Sequence, residues 1–468
     1  MDKERRQLVF ILGLFVTLGL LGWLVVPGDL PPQAWRMLMV GIGAAGLWMS
    51  EAVPIAITSV MVILATAALG ILPVREGLAL VFDPVSAIVF AGFCLAAALQ
   101  KYGLDRRLSL ALLLKMGERT DRVVLGMMIA TALLSTMISN TASTAIMMVI
   151  AISILNTAGA KPGESNLGRA MLIGIPFAAS IGGMGTPAGT PGNVLTIALL
   201  RDMSGISVTF LGWSLLALPL MLITLPVAWR VVLAFFPPEL KRLDLSSCRR
   251  TLTEMGHLGP QEWRVAAIFA LTVVLWMIEP FLPVPKDWTS LVGLLAVILL
   301  SLPYVGVLQW KDIHQNTGWN IFLLIGGGLA LGKGLTKTGA IAWLAKLLTA
   351  YVAGWPAWVV LCLVSAATAL AIIVFCTISG TATTLVPLAI GIAVASGWDP
   401  KVLAMVAGLS ASFAFLLPAN AAPNALAYGA GYFKSMEMFR AGIALMLLSI
   451  LAIGLVANLI WPLLGTSI

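Results

Sequence analysis

Apolar runs of helix length, separated by short polar stretches, fill nearly the whole chain. The first extends from about Leu8 to Val26 and ends in the loop Pro27 to Gln33. A second covers Trp35 to Met49, with Glu51 and Pro54 at its end, and a third Ile55 to Ile71. A helix crosses a bilayer with roughly 20 predominantly apolar residues, so each reads as a span. Glu51 reads either as an interfacial charge or as a pairing partner at a helix end. The next apolar part, Val85 to Leu99, is short and predicts one arm of a re-entrant hairpin returning through Leu108 to Lys115. Such arms are tolerated only where protein or a water-filled cavity covers them. Val123 to Ile138, Ala142 to Leu155, Met171 to Ala179, Val194 to Leu200 and Phe210 to Phe236 follow, then the long polar segment Pro237 to Arg264. Beyond it the pattern resumes with Trp319 to Leu335, Leu363 to Ile378 and Leu385 to Ala395.

One interruption is unlike the others. Ser135 to Thr144 reads STMISNTAST, with seven Ser, Thr or Asn side chains in ten, between VVLGMMIATALL and AIMMVIAISIL. Polar groups in hydrocarbon cost several kcal/mol each unless they are satisfied. Hydroxyls can bond back to their own helix, but Asn brings two donors and two acceptors. Two readings stand: polar glue between helices, or a helix broken near mid-membrane that presents hydroxyls, amide and backbone ends to an ion or solute. A second copy, SGTATT at Ser379 to Thr384, shifts the weight to the latter. Each copy is followed by a Pro- and Asn-containing stretch, SIGGMGTPAGTPGN ending at Asn193 and SFAFLLPANAAPN ending at Asn424.

Further anchors match in order. Trp48-Met49-Ser50-Glu51 pairs with Trp276-Met277-Ile278-Glu279. Gly92, Leu95, Leu99, Lys101 and Gly103 pair with Gly328, Leu331, Leu335, Lys337 and Gly339. The offsets (276 − 48 = 228, 328 − 92 = 236, 379 − 139 = 240, 424 − 193 = 231) are nearly constant. Apolar bias inflates any single match, so the shared order carries the inference of a duplication. The expected division is a first helix plus first repeat over 1–236, a linker over 237–264 and a second repeat over 265–468. Span one lies outside the repeat, which leaves an odd number of crossings per repeat and makes the repeats inverted.

Composition agrees. The chain has 468 residues, 60% hydrophobic and 10% charged, against about 25% charge in soluble domains. It is an all-α polytopic membrane protein. The net charge of +8 does not imply nucleic-acid binding, because the positives sit in short loops where they orient helices. Lys241, Arg242, Arg249, Arg250 and Arg264 outnumber the acids of the central segment. They place it in the cytoplasm, as Lys3, Arg5 and Arg6 place the N-terminus, and it reads as a solvated tether. The first apolar run is long and lacks a small-residue cleavage site, so it reads as a retained helix and not a signal peptide. Three of the four cysteines lie in apolar segments and read as small core residues. Two histidines, His257 and His314, argue against an imidazole metal site. With no His pair and no GxSxG, an intramembrane enzyme lacks its groups; a channel or an anion sensor stays open beside a transporter.

These residues resemble the divalent anion/sodium symporters, the family of bacterial dicarboxylate transporters and sodium-sulfate carriers. The likeness covers nearly the whole chain and rests on SNTAST, SGTATT and the stretches ending at Asn193 and Asn424. It implies about eleven transmembrane helices with two re-entrant hairpins and broken helices in two inverted repeats. It also implies a homodimer in the cell inner membrane, a scaffold, and a transport region that moves as an elevator. By position, Asn140 and Thr141 would meet the anion on one side, and Gly380, Thr381, Pro423 and Asn424 on the other. Ser135, Ser139, Asn140 and the backbone carbonyls near Gly183 to Thr186 would make one sodium site. Ser379 with carbonyls near Pro418 to Asn420, that of Ala419 among them, would frame a second. Sodium would be the coupling ion, with no cofactor. C4-dicarboxylates are the expected substrates, with sulfate or another inorganic anion, or a proton-coupled or metalloid-anion permease, as rivals. The second motif departs from the pattern: Gly380 stands where the family usually has Asn, and Phe375 stands opposite Ser135.

The chemistry suits an anion symporter. Helix N-termini offer free amides and the positive end of the dipole to an anion. Helix C-termini and hydroxyls offer oxygens to sodium. No Arg or Lys lies inside either motif. Bound sodium can supply the positive charge and leave with the anion, and each ligand then improves the other's site.

Overall fold

The computed structural model describes residues 3–50, 52–352 and 354–466. Glu51 and the last two residues of the C-terminal segment lie outside the described residues. Regular structure among the described residues is helical, apart from an isolated bridge between Arg119 and Arg242. Helix α1 (Lys3–Leu24) precedes the repeats. The first half runs α2 (Pro32–Ser50), α3 (Ile55–Ala68), α4 (Val74–Ala79), α5 (Pro84–Lys101), α6 (Leu104–Lys115), α7 (Thr120–Ser135), α8 (Asn140–Thr157), α9 (Asn166–Gly183), α10 (Pro191–Ser204) and α11 (Phe210–Phe235). Helix α12 (Ser246–Glu254) lies in the central polar segment. The second half runs α13 (Pro260–Met277), α14 (Trp288–Ser301), α15 (Trp310–Asn316), α16 (Trp319–Lys337), α17 (Ala340–Val352), α18 (Ala357–Phe375), α19 (Ile378–Ser396), α20 (Pro400–Ser410), α21 (Ala422–Gly429) and α22 (Ser435–Leu455). Each element of the first half has its counterpart in order, from α2 with α13 to α11 with α22.

The packing shows the same duplication. Helix α3 packs on α16 and α14 on α5, so each half seats a helix on the other half's matching partner. Likewise α10 packs on α19 and α21 on α8. The lysine anchors do the same. Lys101 Nζ donates to the Val307 carbonyl at 3.1 Å, and Lys337 Nζ to the Ile71 carbonyl at 2.7 Å. Gly103 and Gly339 turn the chain after α5 and α16 at φ 69° and 81°, a region that glycine enters without a Cβ penalty. Close approach explains the glycines of α16: a Cβ on Gly327 would lie 2.4 Å from Ser59, and one on Gly326 2.6 Å from Val81.

Direction along the helices follows from ion pairs. Arg107 at the start of α6 binds Glu262 at 3.1 Å and the carbonyls of Gly256 and Met255 at 2.6 and 2.9 Å, which ties the end of α5 to the linker face. At the other end of α5, the N-cap Asp83 meets Arg201 of α10 at 2.7 Å. Arg201 also binds Asp202 at 2.8 Å, and Lys333 of α16 lies 3.5 Å from Asp202. Helix α5 therefore runs toward the linker face and α16 away from it, which is what inverted repeats require.

Three expectations change. Val85 to Leu99 is not a short arm. The 3-10 turn at Leu80–Phe82 joins α4 to α5, giving an apolar stretch Val74–Lys101 of 28 residues. Its proposed return, α6, carries Asp105, Arg106, Arg107 and Lys115. The hairpins bent at the polar motifs are α7 with α8 and α18 with α19. The linker is not a solvated tether either: Leu243, Leu245 and Cys248 are buried, and the Leu243 amide donates to the Glu118 carbonyl at 2.9 Å. Burial pushes the Cys248 thiol up from its ordinary value. Finally, the motifs do not unwind. The breaks end at Ser139, which caps α8, and at Thr377, so that the rest of SNTAST and all of SGTATT lie in the first turns of α8 and α19. Eight helices among the described residues are long and apolar enough to span a membrane, and shorter apolar helices such as Ile55–Ala68 and Trp288–Ser301 accompany them.

Candidate functional site

In the first half, α7 ends at Ser135, the chain turns over 136–139, and Ser139 Oγ caps α8 by accepting from the Ala142 amide at 3.2 Å. Ser, Asn and Asp favour that position because the side chain satisfies a free helical amide. Asn140, the first residue of α8, is 7% exposed. Its Oδ1 accepts from the Ser135 hydroxyl at 2.6 Å. Gly183, the last residue of α9, lies so close that a Cβ there would be 2.2 Å from the same Oδ1. Asn193 of α10 then ties the loop: its Nδ2 donates to the Gly183 carbonyl at 2.8 Å and to the Thr186 carbonyl at 2.7 Å. The Thr186 hydroxyl donates to the Thr136 carbonyl, so the loop is also fixed to the bend after α7. Ser135, Asn140 and Gly183 are thus brought together; Ser139 and Thr141 are exposed beside them.

The second half repeats the tie. Asn424 Nδ2 donates to the Ala414 carbonyl at 2.7 Å and to the Leu417 carbonyl at 3.0 Å. Asn424, Ala414 and Leu417 follow Asn193, Gly183 and Thr186 at one offset (424 − 193 = 414 − 183 = 417 − 186 = 231). The surroundings differ. Helix α18 ends at buried Phe375, and α19 starts after Thr377, whose Oγ1 accepts from the Gly380 amide at 3.0 Å. Ser379 is therefore inside the first turn and not at the cap. The Thr381 and Thr383 hydroxyls are bonded back to the carbonyls of Thr377 and Ser379, both at 2.8 Å. Pro423 is buried at the start of α21, and Ala419 is exposed on the turn Pro418–Asn420. The two half-sites adjoin across the start of α10, where a Cβ on Gly192 would lie 3.0 Å from Ile378.

A family model described as the sodium:sulfate symporter transmembrane region matches residues 5–467. This chain belongs to that family. An uncharacterized transporter of Haemophilus influenzae is 32% identical over 98% of both chains. The sodium-dependent dicarboxylate transporter SdcS of Staphylococcus saprophyticus is 30% identical over 94% of this chain and 89% of its own. The crystal structure of the Alcanivorax borkumensis YdaH transporter shares the fold, with a TM-score of 0.56 at 13% identity over 99% of this chain and 98% of that one. The protein is a sodium-coupled anion symporter in a membrane, and not an enzyme.

For such a symporter the first half-site has the chemistry a cation needs. The Ser135 hydroxyl, Asn140 Oδ1 and the carbonyl ends of α7 and α9 are neutral oxygens at the negative ends of helices. The starts of α8 and α10 present amides to an anion beside them. A cleft of about 330 Å³ is lined by Arg201 and Lys286 together with Pro187 of the first loop. Gly182 has a different task from its neighbour: a Cβ there would lie 2.1 Å from the Ala132 carbonyl, so it packs α9 on α7. Sequence reasoning counted Asn420 only for its backbone carbonyl and missed its side chain, which is fully buried; the 231-residue offset that pairs it with Gly189 was the available signal.

Proposed function

We propose that this symporter carries a dicarboxylate, C4 compounds first, together with sodium. The carrying observation is the pair of helix starts, α8 and α19, each lined with hydroxyls and lying on either side of the start of α10. Asn140 and Thr141 hold one end of the anion, and Thr381 with the backbone at Gly380, Pro423 and Asn424 meets the other. Sodium sits at Ser135, Ser139, Asn140 and Gly183. The sodium-dependent dicarboxylate transporters among the relatives support the substrate class. Movement is of the elevator type: the body of α7–α10 and α18–α21 slides past α5 and α16, so the contacts of Arg201 and Asp202 with Asp83 and Lys333 must part. The N-terminus and the basic linker are cytoplasmic, the division is 1–236, 237–264 and 265–468, and the assembly is a homodimer.

One observation favours a second reading. Gly380 has no side-chain carboxamide to reach a far carboxylate, and a compact tetrahedral anion such as sulfate needs less reach. Uptake into proteoliposomes of labelled succinate, citrate, sulfate and phosphate, with and without a sodium gradient, tests both. Saturable sodium-driven succinate uptake with counterflow is expected. Sulfate uptake alone would move the assignment to the second reading, and uptake indifferent to sodium would overturn the coupling.

A further inference from the structure

The repeat allows a residue-by-residue comparison of the two half-sites, and three positions differ in a connected way. Ser135 is replaced by Phe375 and Asn140 by Gly380 (375 − 135 = 380 − 140 = 240), which removes a hydroxyl and a carboxamide oxygen. Gly189 is replaced by Asn420 (420 − 189 = 231), which adds a carboxamide. In the first half the turn has no room for one, because a Cβ on Gly189 would lie 2.3 Å from the Gly183 carbonyl. In the second half Asn420 is 0% exposed, and both ends of its amide are used. Oδ1 accepts from the Leu417 amide at 2.8 Å, and Nδ2 donates to the Ile372 carbonyl in the last turn of α18 at 3.2 Å. Ile372, Ala414 and Ala421, with Ile378 packed against them, close the place with apolar groups.

We propose that Asn420 closes the second half-site against a coupling ion, so that sodium is bound in the first half-site only. An N–H aimed at the Ile372 carbonyl puts a partial positive charge where a cation would need to approach. A buried carbonyl satisfied by a fixed donor gains little from also binding an ion, which must lose its water to reach it. The oxygens that complete the first site have no counterpart here. The carboxamide missing from the helix start is present on the turn, in a place where it serves the protein's own backbone. The inference rests on the sodium-coupled reading of the first half-site and gives its stoichiometry a residue.

The test is a sodium titration of anion uptake by the purified full chain in proteoliposomes. A Hill coefficient near one is expected; a value near two or above in the unaltered protein overturns the inference while leaving sodium coupling intact. Uptake that ignores sodium would instead sink the coupling itself. Asn420→Asp keeps the shape and turns the donor into a carboxylate. It should add a second sodium dependence, raising the coefficient toward two. Asn420→Ala should leave the half-saturating sodium concentration within about twofold, whereas a shift of tenfold or more would make Asn420 a sodium ligand and refute the proposal. If a variant does not assemble, the coefficient of the unaltered protein decides alone.

Discussion

At the bend after α7, a serine hydroxyl donates to an asparagine oxygen that rests on a glycine. At the bend after α18, the matching residues are a phenylalanine, a glycine and an alanine, and a carboxamide from the neighbouring turn holds the helix carbonyl. Beneath both, an asparagine ties the loop through two backbone carbonyls in the same register. Duplication thus left the supports alike and the liganding groups unlike. The supports answer to a constraint both halves share, since a loop inside a membrane protein must satisfy its backbone from within. The liganding groups answer only to what is carried, and a symporter can hold its ion on one side.

The sharpest way to break this comparison is to substitute matching positions. Asn140→Ala should abolish transport while the protein still inserts and folds. Losing one hydrogen bond to a charged partner costs about 1.5–3 kcal/mol, or one to two decades in affinity, and in the proposed reading Asn140 serves both ion and anion. Gly380→Ala should leave uptake within a fewfold, because a Cβ there meets Thr377 at an ordinary 3.4 Å. Equal losses from the two changes, measured as initial uptake rates, would erase the distinction between the halves. Gly183→Ala should come next: its methyl group cannot share space with Asn140 Oδ1, so the half-saturating sodium concentration should rise at least tenfold.

The supports should behave alike in stability and unlike in function. Asn193→Ala and Asn424→Ala each strip one buried and one half-buried carbonyl of a donor, at about 1–3 kcal/mol for the buried group. Both should lower the melting temperature in detergent by similar amounts. Only Asn193→Ala should also weaken sodium dependence, because the Gly183 carbonyl belongs to the proposed sodium site. Thr141→Val, at an exposed position with nearly unchanged volume, should weaken anion affinity less than Asn140→Ala, by about tenfold or less.

The bend after α7 was legible because seven polar side chains in ten have no cheap place in an apolar run, and the duplication because its anchors keep their order. The start of α19 was not. Thr377 and Ser379 both carry a capping hydroxyl, and only tertiary packing chooses between them. Asn420 was hidden for a related reason: one Asn in a Pro-rich loop reads as turn chemistry until its neighbours are known. The ion pairs of Arg201 with Asp83 join residues 118 positions apart, beyond any local pattern. The start of α5 at Asp83-Pro84 was legible, but the extent of the apolar stretch was not, because the 3-10 turn before Asp83 joins α4 to α5 and carries the stretch back to Val74.

The smallest expected effect concerns which side of the membrane each half faces, on which the inverted comparison depends. The linker docks on the start of α7 and the end of α5, so labelling it fixes the sidedness of both halves. The native Cys248 is a poor reporter: it is 4% exposed, and burial keeps its thiol protonated, while the thiolate is the reactive form. Arg250 is exposed on the same helix and pairs with Glu254 at 2.8 Å in a solvent-screened surface contact that adds little to stability. Arg250→Cys in a background free of the native cysteines should therefore leave transport unchanged. An impermeant maleimide should label it only after the membrane is opened, since the basic excess of the linker favours the cytoplasm. Labelling in intact cells would turn the molecule over. The Asp83–Arg201–Asp202–Lys333 face would then be the cytoplasmic one, and the first half-site, with its ion, would be reached from the other side.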